Sequence, residues 1–262
     1  MPLIYLHDIR LNARLTGPAK APVLVFSHAL GTDMTIWDGV QDALRDRYRI
    51  LTHDARGHGK SDVPAPPYAM GALITDLERL IDHFALKDAV IIGVSLGGLV
   101  AQGLAVKRLD LIRGLVLSNT AARIGTPDLW QRRIAEVRAG GLATYAPGAL
   151  QRILGPRFET HPQHAYLHTL LTRTHPDGWT GSAAAIAGTD FYTTTATLRL
   201  PTLAIAGAND GTTPPDLVRE TAALIPGHRF HLMRGAGHLP MVEKPGEFAA
   251  TLQTFLTEIG HV

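Results

Sequence analysis

The stretch AVIIGVSLGG, residues 89–98, places Ser95 between two glycines at the end of an apolar run. The run AVII is typical of a buried β-strand, and the residues that follow Ser95 carry apolar side chains at helical spacing. In this strand–turn–helix setting, the pattern G-x-S-x-G predicts a tight turn that exposes the serine hydroxyl at the carboxyl edge of a sheet. Glycine is expected at positions 93 and 97 because side chains there would collide with neighbouring elements.

A serine in such a turn has two interpretations, a structural bend or a nucleophile. A neutral serine becomes nucleophilic only beside a base and an orienting acid. His238 is the candidate base, because it lies in the loop RGAGHLPMVEKP (234–245) directly after the last strand-like run. His231 lies inside that run, where a packing or surface role is the more common one.

Asp210 is the candidate acid. It follows a buried strand pattern in AIAGANDGTTPP (204–215), although Asn-Asp-Gly is also strong turn chemistry and an ordinary turn aspartate is the alternative. Ser95, Asp210 and His238 each follow a strand-like run, in the chain order that a strand-borne serine triad uses. Three such positions at one sheet edge favour a catalytic triad over three unrelated turns.

Attack on a carbonyl also needs donors for the oxyanion. The backbone N–H of Leu96, next after the serine, is one expected donor. The other is the N–H of Leu30, in the loop HALG (28–31) that follows the strand-like run VLVFS. We expect His28 to hold this loop in place. Most of the remaining histidines are expected to be exposed to solvent, among them His53, His58, His161, His164 and His175.

The rest of the chain alternates short apolar runs with longer helical patterns, which predicts an α/β fold with a mostly parallel central sheet flanked by helices. This alternation stops between about residues 120 and 189, where helical patterns follow one another without a convincing strand. We therefore expect a core made of residues 1–119 and 190–262, with residues 120–189 as an inserted helical cap.

Length and composition agree with one domain plus an insertion, since the chain has 262 residues, of which 45% are hydrophobic and 18% charged. The absence of cysteine excludes disulfides, a thiolate nucleophile and cysteine-ligated metals. A net charge of +2 with scattered basic residues argues against a nucleic-acid partner. The N-terminal stretch lacks the apolar core of a secretory signal, and no run is long enough to span a membrane, so a cytoplasmic location is expected.

From end to end the chain resembles the α/β-hydrolases. The segment HDARGHGKSDVP (53–64) matches their Asp-x-Arg-Gly-x-Gly-x-Ser pattern, while Ala29 stands where a glycine is commoner. The chain is more specifically similar to the 3-oxoadipate enol-lactonases, in HALGTDMTIWD (28–38), LSNTAARIGTPDLWQRRI (117–134) and GAGHLPMVEKP (235–245).

This resemblance implies a serine hydrolase that opens a small, carboxylate-bearing enol-lactone in aromatic-compound catabolism, with no metal or organic cofactor. The spectator carboxylate of such a lactone needs a cation, and the first cap helix offers Arg132 and Arg133, with Trp130 as a wall. We favour Arg133, although adjacent helical residues face different ways and either arginine would more commonly be solvated. Trp130 would equally suit plain packing between cap and core.

Other functions stay open. A general carboxylesterase or a carbon–carbon bond hydrolase of the same fold would keep the same triad. A hydrolase-like ligand-binding protein with slow turnover is the alternative from another class. Dehalogenases and epoxide hydrolases of this fold fit less well, because their nucleophile is an aspartate and residue 95 is serine. A monomer and a homo-oligomer are both compatible with the sequence.

Overall fold

The computed structural model describes residues 3–155 and 157–262. Their strands are β1 (Ile4–Leu6), β2 (Ile9–Leu11), β3 (Ala13–Thr16), β4 (Val23–Ser27), β5 (Arg49–His53), β6 (Ala89–Val94), β7 (Ile112–Ser118), β8 (Thr202–Gly207) and β9 (Arg229–Met233). Their α-helices are α1 (Asp38–Leu44), α2 (Met70–His83), α3 (Leu96–Lys107), α4 (Pro127–Leu154), α5 (His164–Arg173), α6 (Pro176–Ala187), α7 (Tyr192–Thr195), α8 (Pro215–Ala223), α9 (Pro240–Glu243) and α10 (Pro245–Glu258). Short 3₁₀ turns cover Met34–Trp37, Leu109–Leu111 and Phe158–Thr160.

The central sheet has the strand order β3-β5-β4-β6-β7-β8-β9. Only the edge strand β3 runs antiparallel to its neighbour, and all other pairs are parallel. Strands β1 and β2 form a separate antiparallel hairpin. The predicted α/β class with a mostly parallel sheet is therefore confirmed.

Both faces of this sheet are covered by helices, which explains why its strands are apolar without interruption. In β6, the side chains of Val90 and Ile92 pack in one cluster with residues of α1 and α10. Ile91, between them, points to the other face and packs in a second cluster with residues of α2 and α3. Successive strand residues alternate between the faces, so an apolar residue is needed at every position.

The chain between β7 and β8 forms α4, α5, α6 and the short α7, and its described residues contain no strand. Helix α4 is interrupted at Gly141, whose φ of 74° is non-helical, so that its two halves point in different directions. The limits of a separate cap at residues 120 and 189 stay a prediction.

Within the described ranges, none of the helices is long and apolar enough to cross a membrane.

Candidate active site

Ser95 occupies the turn between β6 and α3 in a strained conformation, with φ 55° and ψ −117°. Its backbone N–H donates to the carbonyl of Ser118 at 3.1 Å, and its own carbonyl accepts a hydrogen bond from Thr120 Oγ1 at 2.7 Å. A non-glycine residue with positive φ persists only where its surroundings enforce it. Here the end of the neighbouring strand β7 and the residues beyond it do so, and the hydroxyl lies at the carboxyl end of β6.

The two flanking glycines are required by the closeness of the backbone. A Cβ atom at Gly93 would lie 2.2 Å from the carbonyl oxygen of Gly97, and one at Gly97 would lie 2.2 Å from the carbonyl oxygen of Ser27. Both distances are far below van der Waals contact. The prediction that side chains at these positions would collide with their surroundings is confirmed.

The structure brings Asp210 and His238 together from two different strands. Asp210 follows β8 and His238 follows β9. Oδ2 of Asp210 lies 2.8 Å from Nδ1 of His238, and both side chains are almost completely buried. His238 and Ser95 line the same cavity. The three residues singled out in the sequence thus lie at one edge of the sheet.

The carboxylate of Asp210 is held by several donors besides His238. Oδ1 accepts the backbone N–H groups of Thr212 at 2.7 Å and Thr213 at 3.1 Å, and Oδ2 accepts Thr213 Oγ1 and Asn119 Nδ2, each at 2.8 Å. Burial alone would raise the pKa of Asp210, but His238 and these donors outweigh it, so the pKa lies below its ordinary value. The group therefore remains a carboxylate that can orient His238.

Asn119 is a site residue that sequence reasoning missed. Its amide donates both to Asp210 and, at 3.1 Å, to the carbonyl of Gly237, so it joins the acid loop to the histidine loop. Its Oδ1 accepts from Ser118 Oγ at 2.9 Å, which fixes the orientation of the amide. The available signal was its position directly after β7, at the same sheet edge as the other site residues.

The end of α4 is bonded to both of these loops. The carbonyl of Arg152 accepts the N–H of Gly211 at 2.9 Å, and the carbonyl of Ile153 accepts the N–H of His238 at 2.8 Å. The last carbonyls of a helix have no partner within it, so they are available for such bonds. Helix α4 therefore supports the acid and the histidine as well as covering them.

The two expected oxyanion donors both lie near Ser95, and their role stays a prediction. Leu30 lines the cavity together with Ser95, and Leu96 is the first residue of α3, where backbone N–H groups have no helical acceptor. Among the described residues, neither N–H donates a hydrogen bond to another group. His28 supports the loop, since its Nδ1 donates to the carbonyl of Ala29 at 2.8 Å and its Nε2 accepts the N–H of Ala55 at 2.9 Å.

The expectation of solvated histidines is wrong for His53 and His58, which are 3% and 1% exposed. His58 supports the same loop as His28, because its Nε2 accepts the N–H of Gly31 at 3.1 Å. Burial, with a contribution from His28, lowers the pKa of both His53 and His58 to about 3. Both rings are therefore neutral at ordinary pH.

The cavity above Ser95 is small, about 50 Å³, against the roughly 300 to 1,000 Å³ of typical ligand sites. A larger depression of about 670 Å³ lies at the amino ends of β7 to β9, between Arg113 and Arg229, and its lining includes neither Ser95 nor His238. The volume of a cavity therefore does not identify the active site in this protein. A ligand of the small cavity must be compact, or must displace side chains of the overlying helices.

Helix α4 supplies two arginines to this cavity. Arg133 lines it, with its guanidinium 4.8 Å from the ring centre of Trp130, whereas Arg132 is exposed. Trp130 also lines the cavity and is fixed by a 2.6 Å hydrogen bond from its indole N–H to the carbonyl of Ile124. The second arginine, Arg152, was not predicted. It approaches the site from beyond the kink of α4, which the sequence pattern does not show.

No group of three or more metal-ligating side chains with the arrangement of a metal site occurs in residues 3–155 and 157–262.

The chain is similar to known hydrolases over nearly its whole length. A family model for the alpha/beta hydrolase fold matches residues 22–245. The 3-oxoadipate enol-lactonase 2 of Acinetobacter baylyi is 34% identical over 92% of this chain and 91% of its own. Among solved structures, a hydrolase from Pseudomonas aeruginosa has a TM-score of 0.93 at 36% identity, covering 97% of both chains. The enol-lactonase from Burkholderia xenovorans LB400 has a TM-score of 0.93 at 32% identity, covering 98% of this chain and 100% of its own.

The matched segment 22–245 contains the Ser95 turn and both loops that carry Asp210 and His238. Similarity of this extent shows that the chain belongs to the α/β-hydrolase family and is a hydrolase.

Proposed function

We propose that this hydrolase opens a small enol-lactone that carries a free carboxylate, with 3-oxoadipate enol-lactone as the substrate and aromatic-acid breakdown as the setting. The observation that carries the proposal is a single cavity lined by Ser95, His238 and Arg133. The similarity to two enol-lactonases, at 34% and 32% identity, supports the choice of a lactone.

The first step is attack of Ser95 Oγ on the lactone carbonyl, while His238 takes the hydroxyl proton as general base. Asp210, 2.8 Å from Nδ1, holds the imidazole in the required tautomer and stabilises the imidazolium. The backbone N–H groups of Leu30 and Leu96 receive the oxyanion. The ring oxygen leaves as an enol, which takes a proton and becomes the ketone, so ring opening is not readily reversed.

The second step releases the acyl group. Water, deprotonated by His238, attacks the acyl-enzyme carbonyl, and Ser95 leaves as its hydroxyl. The product is a linear keto acid with one carboxylate more than the lactone. Protein groups and water supply every proton transfer in this scheme.

The lactone carboxylate would bind Arg133. Stacking on Trp130 orients the guanidinium and leaves its N–H donors free for a planar carboxylate. Trp130 itself covers the flat face of the ring. A neutral ester would lack this contact, and we therefore expect selection by charge.

The test compares steady-state hydrolysis of 3-oxoadipate enol-lactone with that of p-nitrophenyl acetate. We expect the lactone to have the higher kcat/KM by at least about 100-fold, since a hydrogen bond to a charged group is worth about 1.5 to 3 kcal/mol and binding can also orient the ring. Ser95→Ala should abolish both reactions while the thermal unfolding midpoint stays close to that of the parent.

Arg133→Gln adds a test of charge recognition. It should raise KM for the lactone by about 10- to 100-fold and leave the neutral ester nearly unchanged. Arg138→Gln, an exposed arginine of the same helix, is the matched control and should affect neither. Fast ester cleavage beside negligible lactone opening would instead favour a general carboxylesterase or a carbon–carbon bond hydrolase.

A further inference from the structure

The active-site cavity has positively charged residues in its lining and no acidic ones. Arg133 and Arg152 both line it, and its lining includes no aspartate or glutamate. The ion pairs among the described residues engage other arginines, such as Arg108 and Arg173, and neither cavity arginine takes part in one. Two unpaired cations in a partly enclosed site repel each other and favour a ligand that carries more than one negative charge.

Arg152 is held in place without being neutralised. Its Nη2 donates to the hydroxyl of Tyr145 at 2.9 Å, and its guanidinium lies 5.5 Å from the centre of that ring. Tyr145 in turn packs edge-to-face on Trp179, with ring centres 4.9 Å apart. A fixed guanidinium with further N–H donors free is well suited to bind a carboxylate.

The two arginines are close enough for their positive charges to repel each other. Burial is the main cause that lowers the pKa of Arg133. Tyr145 and Glu136 act to raise this pKa, whereas repulsion from Arg152 and Arg132 lowers it further. A bound anion would relieve both effects. Arg152 also belongs to the segment that contacts the catalytic loops, since its carbonyl accepts the N–H of Gly211 and the next carbonyl accepts that of His238.

We propose that Arg152 is a second carboxylate-binding residue and that, together with Arg133, it makes the cavity a receptor for short dicarboxylates. The inference rests on the proposed lactone opening and extends it. Arg133 holds the carboxylate that the lactone already has. Arg152, beside the triad loops, receives the carboxylate that hydrolysis creates at Ser95.

This division follows from the charge balance of the reaction. The lactone enters with one negative charge; water adds across the acyl bond, and the new carboxylic acid ionises with release of a proton, so the product leaves with two. A cavity with one arginine would match the substrate. A cavity with two matches the product, and we therefore expect linear dicarboxylates of similar length to inhibit.

The test measures competitive inhibition of p-nitrophenyl acetate hydrolysis by adipate and by hexanoate, which has the same chain length and one carboxylate. In the parent protein adipate should bind at least about 10-fold more tightly than hexanoate, because one additional hydrogen bond between charged groups accounts for a factor of about this size. Arg152→Gln should remove most of that preference by weakening adipate alone. Arg138→Gln should leave the preference intact.

Two further variants separate recognition from folding. Arg152→Lys keeps the charge but loses the planar donor pair and should retain part of the preference. Tyr145→Phe removes the hydroxyl that positions Arg152 and should reduce the preference by a smaller factor. Calorimetric titration of adipate into Ser95→Ala gives the same comparison without turnover, and thermal unfolding of each variant checks that it is folded.

Equal affinity for adipate and hexanoate in the parent would overturn the inference, as would an Arg152→Gln variant that weakens both ligands equally. Neither result would depend on the lactone. If the protein opens the lactone but shows no dicarboxylate preference, the proposed function stands and this inference fails. If it prefers adipate through Arg152 but does not open the lactone, the lactone assignment fails instead.

Discussion

The loops at the carboxyl edge of the sheet and the helices that cover them, α4 to α6, form one cavity but are held in different ways. The backbone of Ser95 is fixed by hydrogen bonds with the backbone at the end of β7 and with the hydroxyl of Thr120 just beyond it. Asp210 is surrounded by donors from its own loop and from Asn119. Arg133 and Arg152 are fixed by contacts with one aromatic ring each, on their own helix.

This difference separates the residues that break the bond from those that choose the substrate. The sheet edge cannot change without disturbing the buried core, because its geometry is set by strand pairing and close backbone contacts. The ring contacts in α4 can change at the cost of one or two side-chain interactions. We therefore expect changes at the sheet edge to alter kcat or folding, and changes in the covering helices to alter mainly KM.

The largest expected effect is that of Asp210→Asn. An amide at this position keeps the shape but favours the wrong imidazole tautomer, and the corresponding change in a serine triad lowers kcat by about 10⁴-fold. KM should stay within a few-fold, in contrast to substitutions in α4. Steady-state kinetics with either substrate measures this, and a kcat within about 10-fold of the parent would show that Asp210 does not orient His238.

Next comes a pair of glycine substitutions, one in each region. Gly97→Ala places a Cβ 2.2 Å from the carbonyl oxygen of Ser27, whereas Gly141→Ala meets no atom within 4 Å and only strains a positive φ. We expect a loss of about 3 kcal/mol in the free energy of unfolding for the first and about 1 kcal/mol for the second. Urea denaturation measures both. Equal losses would contradict the proposed difference in rigidity between the two regions.

The third prediction concerns the free energy of unfolding at acid pH and the part played by His58, whose ring accepts a hydrogen bond from the loop after β4. His58 is neutral in the folded protein down to its pKa of about 3, but in the unfolded chain it takes up a proton near pH 6.5. Between these values the unfolded state binds more protons, so stability decreases as pH falls and is unaffected above the unfolded pKa. Each such histidine contributes a slope of about 1.4 kcal/mol per pH unit.

His58→Gln keeps a hydrogen-bond acceptor for Gly31 and removes the titration. Its free energy of unfolding, measured by urea denaturation from about pH 6 to pH 4, should depend less steeply on pH than that of the parent. The slope is the readout, because the substitution also changes packing at every pH. An unchanged slope would exclude His58 as a source of acid instability.

The smallest effect is expected where the two regions touch. Tyr166 of α5 and Thr35 of the 3₁₀ turn after the Leu30 loop share a hydrogen bond of 2.8 Å between their hydroxyls. Tyr166→Phe should cost about 0.5 to 1.5 kcal/mol of stability and change kcat less than about 3-fold. A tenfold fall in kcat would instead mean that α5 positions the oxyanion loop.

The sequence alone predicted much of the fold, because buried parallel strands and amphipathic helices carry strong local patterns. The runs around residues 23–27, 89–94 and 202–207 are β4, β6 and β8 of the sheet. It also singled out Ser95, Asp210 and His238, since each follows a strand and parallel strands end at the same edge.

Tertiary structure decided which side chains meet across distant segments. Asn119 joins the Asp210 and His238 loops, His53 and His58 are buried as neutral rings, and Arg152 enters the cavity beyond the kink at Gly141. Local sequence patterns indicate which face of its own helix or strand a residue occupies. They do not report the phase of a kinked helix or the contents of a cavity, which depend on how the elements pack.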